Sequence, residues 1–250
     1  MVNLYGEVIE KKNLSKEDIL TMYLLMDTFY EGMKMEAFCK DLSQKDYCIL
    51  LKNEEEEICG FSTQLILHIP FGKQIIHGVF SGDTIIHRDY WGSSELFRTF
   101  AEFFFEYGER YEHFYWFLIS KGYKTYKMLP TFFDTFYPNY KAETPKRLEN
   151  IMHSFGKLMY PGEYDEAAGV IHYQKDKDRL REGVADITTK KLMDKDIAYF
   201  VKRNPEHYKG NDLVCITDLK RDNLHPVAKK ILFRKQLKNE TGIRNGVKLL

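Results

Sequence analysis

Apolar and polar residues alternate along 4–10, the period of a half-buried strand. From Ser15 the period changes. Ile19, Tyr23, Met26 and Tyr30 recur at helical spacing behind Ser15 as N-cap, with Glu17 and Asp18 in the first turn, where carboxylates favour the positive helix end. Gly32 ends or kinks that helix, and a shorter helical pattern covers 33–42. Residues 47–52 and 58–69 read as two strands joined by the acidic tip 54–57, a hairpin whose four like charges are most simply solvated. A turn at "IPFGKQ" leads into a long strand, 74–87, with a bend expected at Ser81-Gly82. A helix over 94–108 follows, then the nearly continuous apolar run 113–120, which predicts a strand buried on both faces. "YKTYKMLPTFFDTFYP" predicts a helix bent at Pro130, or carrying it in its first turn, and stopped at Pro138.

The first 140 residues therefore read β-α-α-β-β-β-α-β-α. This order predicts an α/β (α+β) chain with a mixed, mostly antiparallel central sheet flanked by helices. The pattern then weakens. Helices are expected at 146–159, 196–202 and 226–237, a loop at "YPGEYDEAAG" and a short strand at 213–219. The expected organisation is one domain over 1–143 and a C-terminal extension, 144–250, packed on it or completing it. No internal repeat or low-complexity linker interrupts the chain.

Composition narrows the function classes. The chain has 250 residues, with 37 basic and 37 acidic side chains, so no global positive excess favours nucleic acid. A hydrophobic fraction of 44% suffices for a sizeable core. The start has no signal-peptide apolar region, and no run reaches the roughly 18 apolar residues of a spanning helix, so a cytoplasmic protein without stable membrane insertion is expected. Cys39, Cys48, Cys59 and Cys215 lack metal-type spacing and fit reduced thiols. His68, His77, His87 and His113 form no H-x-x-x-H pair, so no metal cofactor is expected. The 18 Phe and 17 Tyr are either a stacked core or, in part, the lining of an apolar channel. "KKLMDKD" and "AKKILFRKQLK" are basic amphipathic pieces, read most simply as solvated helix faces.

The chemistry concentrates in "GVFSGDTIIHRDYWGSSELFRTFAEFF", a buried strand and a buried helix joined by a tight, donor-rich turn. Unpartnered backbone N–H groups and a positive dipole make a helix start an anion site. Gly92 permits close approach of a ligand, Ser93 and Ser94 cap or donate, and His87 and Arg88 add charge. The other reading is an ordinary capped connection.

The element order together with "TIIHRDYWGSSEL" and "FYWFLISKGYKTYKMLPTFFDTFYP" resembles the GNAT superfamily of acyl-CoA-dependent N-acyltransferases over residues 4–140. In that family a Q/R-x-x-G-x-G/A turn receives the cofactor pyrophosphate, and the pantetheine arm lies between two splayed strands like an added strand. Here Trp91 stands at the Gln/Arg position, Ser94 at the first glycine and Leu96 at the second, while Gly92 matches a glycine often found inside the motif. The resemblance implies an acyl-CoA co-substrate, acetyl or longer, held by Ile85, Ile86, His87, Arg88, Trp91, Gly92, Ser93 and Ser94. It implies an amine acceptor, small molecule or peptide, with Asp83 as base and Tyr126 as the acid that protonates the thiolate, Tyr123 being the alternative. Backbone N–H groups near Ile86 would hold the thioester carbonyl. A competing reading, raised by the missing glycines, is a non-catalytic ligand-binding or interaction protein on the same fold.

Overall fold

The structure is a computed structural model and describes residues 4–173 and 178–233. In chain order the strands are β1 (Tyr5–Glu10), β2 (Tyr30–Glu31), β3 (Tyr47–Lys52), β4 (Ile58–Phe71), β5 (Gln74–Ile86), β6 (Phe114–Ser120), β7 (Tyr164–Asp165), β8 (Val170–Ile171), β9 (Arg179–Leu180) and β10 (Asp212–Asp218). The helices are α1 (Lys16–Phe29), α2 (Met35–Ser43), α3 (Glu95–Gly108), α4 (Tyr123–Tyr126), α5 (Met128–Phe132), α6 (Lys146–Met159), α7 (Lys195–Arg203) and α8 (Pro226–Leu232). The predicted helix 226–237 is described only as far as Phe233, and its remainder lies outside the described residues.

Eight strands form one sheet in the order β1-β3-β4-β5-β6-β10-β8-β7. Every pairing in it is antiparallel except β5 with β6. The sheet is thus mixed and mostly antiparallel, as the sequence pattern predicts. Residues beyond 143 supply β10, which pairs with β6 from Leu213↔Ser120 to Asp218↔Tyr115, and the short β8 and β7. The "YPGEYDEAAG" segment, expected to be a loop, contributes β7 and leads into β8. Two-residue strands carry too little period for sequence to register.

The side-chain period of two distributes the core over both faces. Ile49 and Leu51 face one cluster with α3, and Cys48 and Leu50 face another with α1 and α2. On β6, Phe114, Trp116 and Leu118 join the α3 side, while Tyr115 and Phe117 meet Phe155 of α6 on the opposite face. α3 buries Leu96, Phe97, Phe100, Phe104 and Phe105, each apolar side chain contributing about 1.5–3 kcal/mol on burial. Most of the aromatic side chains that raised the possibility of a channel are this core.

α1 begins with a capping box. The Ser15 side chain accepts from Asp18 N at 3.0 Å, and Asp18 accepts from Ser15 N at 2.9 Å. The helical run after β6 is split into α4 and α5, with Pro130 in the first turn of α5, where its missing N–H costs nothing.

Two features of β5 position the site. Its register against β4 goes from Ser62↔Thr84 to Gln64↔Ser81, so β5 carries one extra residue at Gly82-Asp83, a bulge where the bend was expected. Its parallel pairing with β6 runs from His77↔Phe114 to Ser81↔Leu118 and ends there. Beyond the bulge the two central strands part.

Candidate active site

Where β5 and β6 part lies a cleft of ≈ 530 Å³. One wall is Gly82, Asp83, Thr84, Ile85 and Ile86 of β5, and the other is Ile119, Lys121 and Gly122 with Lys124 and Thr125 of α4. Alternate backbone groups of a strand point to each neighbour, so past the bulge the β6-facing N–H and C=O groups of β5 border the cleft. Among the described residues no strand pairs with this edge, and its Ile86 carbonyl accepts the Trp91 indole N–H.

The predicted residues divide between wall and surroundings. Asp83, Ile85, Ile86 and Trp91 line the cleft. Trp91 Nε1 donates to Ile86 O at 2.9 Å, so the indole is tied back onto the end of β5. Arg88 lies just outside, 5.6 Å from the Phe29 ring centroid and 5.9 Å from that of Trp91. His87 Nδ1 accepts from Asp89 N at 3.5 Å. Gly92 has φ +93° and open space where a Cβ would sit. Only glycine adopts that backbone without strain. Ser93 Oγ accepts from Glu95 N at 3.2 Å, taking the capping role, while Ser94 occupies the N-cap position without a side-chain bond. Glu95, the first residue of α3, pairs with Arg98.

Tyr126 is corrected. Its side chain is fully buried among Phe136, Tyr199 and Phe200, and its hydroxyl donates to Pro138 O at 2.9 Å. It is absent from the cleft wall, which takes Lys124 and Thr125 from the same helix. Burial pushes its phenol far above the usual range. The alternative, Tyr123, is also buried and outside the wall, with Lys191 Nζ 4.9 Å from its ring centroid. Tyr126→Phe is accordingly expected to leave turnover unchanged. It should lower stability by about 1–3 kcal/mol, because the buried Pro138 carbonyl loses its donor. Chemical denaturation beside an activity assay checks both halves, and a large fall in kcat at unchanged stability contradicts the placement.

Sequence reasoning missed the basic and phenolic side chains that meet here. Lys124 Nζ sits 3.2 Å from the centroid of the Trp91 ring. Its ammonium is held below the usual lysine range by desolvation, then by the nearby Lys191 and Arg88. Lys191 and Arg88 thus stand near Lys124 at the Trp91 end of the cleft, with Asp186 offsetting part of their effect. Tyr30, Tyr160, Tyr173, Asp178 and Asp212 also line the cleft, brought in by the α1–α2 connection and the C-terminal region. The small ribbon of β2 with β9 joins those two segments. The one local signal was Lys121-Gly122-Tyr123-Lys124, a second strand–turn–helix junction facing the first.

A second cleft, ≈ 1040 Å³, lies at the opposite end of the β5–β6 pair, where the strands remain bonded. Beside it the hairpin register brings His68 and His77 together, Nδ1 to Nδ1 at 2.8 Å. Sequence spacing alone did not reveal this pair. Among the described residues no group of three metal-type side chains includes it. No helix among the described residues is long and apolar enough to cross a membrane.

No protein-family model matches the sequence, and no curated protein matches it. Solved structures match in part. A probable N-acyltransferase from Enterococcus faecalis V583 is 11% identical, with 85% of this chain and 65% of that chain covered and a TM-score of 0.39. The GNAT family N-acetyltransferase YhbS from Escherichia coli, in complex with CoA, is 10% identical over 48% of this chain and 64% of that one, with a TM-score of 0.35. An aminoglycoside acetyltransferase from an uncultured soil metagenomic sample, in complex with sisomicin, is 16% identical over 50% and 82%, with a TM-score of 0.36. The matched part thus spans less than two thirds of the first two proteins' lengths. These are distant likenesses in chain path, and the chemistry of the cleft rests on its own residues. The mixed, mostly antiparallel sheet and the bulge next to Ser81-Gly82 agree with the sheet and the bend expected from the sequence.

Proposed function

We propose that the protein is an acyl-CoA-dependent N-acyltransferase of the GNAT type. The observation that carries this reading is the parting of the parallel pair β5–β6 beyond a bulge, with a cleft at the split. The β5 edge beyond the bulge suits the amide-rich pantetheine arm, which pairs with it as an added strand. Arg88, Lys124 and Lys191 around Trp91 suit the phosphates, with Gly92 leaving the turn open to them. These cations take over the work of the two absent motif glycines.

In the proposed reaction Asp83 accepts a proton from the acceptor ammonium, whose nitrogen then attacks the thioester carbonyl carbon. Edge N–H groups of β5 near Ile86 stabilise the oxyanion. The C–S bond breaks, the thiolate takes up a proton from a cleft phenol or water, and the products are an amide and free CoA. Tyr30, Tyr160 and Tyr173 are phenols of the cleft wall.

A specific feature favours the competing reading of a binding protein without catalysis. Glu95 places a carboxylate at the start of α3, where pyrophosphate would lie. Thermal unfolding with acetyl-CoA and with CoA separates the readings. A ligand at one hundred times its Kd stabilises by about 2.7 kcal/mol, so a clear rise in Tm is expected with both. Release of free thiol in the presence of an amine then establishes transfer. No rise with either ligand overturns the proposal, and a rise without transfer leaves the binding protein.

A further inference from the structure

A chain of polar side chains crosses β4, β5 and β6 inside the molecule, and its hydrogen bonds run in one direction. Trp116 Nε1 on β6 donates to Ser81 Oγ on β5 at 2.8 Å. Ser81 Oγ stands 2.7 Å from Gln64 Oε1 on β4, and Gln64 Nε2 stands 2.7 Å from Ser62 Oγ. Ser62 Oγ is 2.7 Å from Thr84 Oγ1, back on β5, and Thr84 Oγ1 is 3.3 Å from Gly82 O. An indole N–H only donates, so Ser81 accepts from Trp116 and gives its own proton to Gln64. That sets the amide with its oxygen toward Ser81 and its nitrogen toward Ser62. Ser62, having accepted from Gln64, donates to Thr84, and the Thr84 hydroxyl donates to the Gly82 carbonyl.

Ser62, Gln64, Ser81 and Trp116 are buried, Gln64 completely. Hydrogen bonds aligned head to tail polarise and strengthen one another in such surroundings, and a break in the chain leaves a buried group unpaired. The chain brackets the bulge of β5. Ser62↔Thr84 and Gln64↔Ser81 are the register pairs on either side of it, and Gly82 and Asp83 fall between them. Gln64 thus reaches both flanks from one side chain, Ser81 directly and Thr84 through Ser62. The backbone is closed in as well. A Cβ on Gly82 would come within 2.8 Å of Thr63 Oγ1 and 3.0 Å of Lys45 Nζ. The β6 end of the chain is anchored by Trp116, whose ring stacks on Phe97 of α3 with centroids 5.5 Å apart.

A strand that loses a bulge slips by one residue and exchanges the faces of everything after it. The residues after this bulge are Thr84, Ile85 and Ile86 of the cleft wall. We propose that Gln64 is a positioning residue for acyl transfer. By bonding both flanks of the bulge it fixes which backbone groups of 84–86 point into the cleft, and so where the thioester carbonyl is held. Gln64 itself is absent from the wall and acts through β5. The inference rests on the acyltransferase reading and adds to it a residue outside the cleft.

Infrared spectroscopy of bound acetyl-CoA, isotopically labelled at the thioester carbonyl, reads this aim on the full chain, with calorimetry for CoA affinity. In the native protein the donors of the β5 edge should lower the carbonyl frequency on binding. Gln64→Met fills similar space without the amide. The frequency shift should disappear in this variant, with CoA affinity, carried by the phosphate contacts, changing little. Its kcat for transfer should fall by about 10²-fold, the cost of a misplaced reacting group. Gln64→Glu gives a second reading, and the test itself if the methionine variant fails to fold. A protonated Glu accepts from Ser81 and donates to Ser62 as the amide does, whereas the carboxylate only accepts. The shift in this variant should therefore be native at low pH and vanish as pH rises through the pKa of the buried acid, while the native protein keeps its shift throughout. A shift retained by both variants at every pH overturns the inference. Loss of the shift only together with CoA affinity and stability makes Gln64 structural and overturns it too. An unshifted carbonyl in the native protein with CoA bound overturns the inference and leaves the acyltransferase reading standing. No CoA binding by the native protein overturns both.

Discussion

Asp83→Asn is expected to lower kcat for acyl transfer by about 10²–10⁴-fold, the range for a positioned general base, with little change in CoA affinity. The expectation follows from where the bulge places this residue. An extra residue in one strand of an antiparallel pair re-aims the side chains beside it, and here it falls at Gly82-Asp83. Asp83 lines the cleft one turn of pleat beyond the last β5–β6 pairing, Ser81↔Leu118, next to the backbone edge that would hold the thioester. Asparagine keeps the shape and removes the proton acceptor. The loss should appear in kcat rather than in the Kd for CoA. It should shrink as pH rises and a larger share of the amine is already neutral in solution. Single-turnover rates with a saturating amine, measured across pH for both proteins, decide the matter. An unchanged rate assigns proton removal to another carboxylate or to water. A loss confined to amine KM makes Asp83 a binding group instead.

The sheet was legible because its strands carry the period that burial imposes. Ile49 and Leu51 against Cys48 and Leu50, or Trp116 against Phe117, announce two covered faces in the sequence alone. The bend at Ser81-Gly82 was legible for a related reason, since glycine in a long strand marks a bulge or a close approach. The site was legible only where it lies on one continuous stretch, from Asp83 to Trp91. Its other half is assembled from Tyr30 after α1, Lys121 and Lys124 after β6, Tyr160 after α6, Tyr173 beyond β8 and Asp212 at the start of β10. Nothing local distinguishes these from solvated or core residues, because long-range pairing creates their meeting. Tyr126 shows the converse. Position after the β6 strand marks it as a site phenol, yet Tyr123 and Tyr126 fall on the covered face of a four-residue helix, which presents Lys124 and Thr125 to the cleft.

Charge reversal at the Trp91 end is expected to have the largest effect on cofactor affinity. Arg88 and Lys191 stand near Lys124 there, and desolvation joined by their repulsion holds the Lys124 ammonium low against the opposing pull of Asp186. A bound phosphate reverses the sign of the local field and raises that pKa. Proton uptake is then linked to binding, so CoA affinity should be full below the lowered Lys124 pKa of the free protein and fall as pH rises through it. A hydrogen bond to a charged group contributes about 1.5–3 kcal/mol, and each 1.4 kcal/mol is a factor of about ten in Kd. Lys124→Glu removes one such bond and adds repulsion, so CoA should bind at least tenfold more weakly, and Arg88→Glu should act in the same direction. Lys124→Arg keeps the charge and the stacking on Trp91 and should retain most of the affinity while abolishing the alkaline loss, because guanidinium stays charged. Salt supplies a further check. The advantage of the native protein over Lys124→Glu should shrink as ionic strength rises and the phosphate contacts are screened. Equal CoA affinity in the native protein and Lys124→Glu at low salt would place the phosphates elsewhere, at the start of α3 alone, where Glu95 already stands.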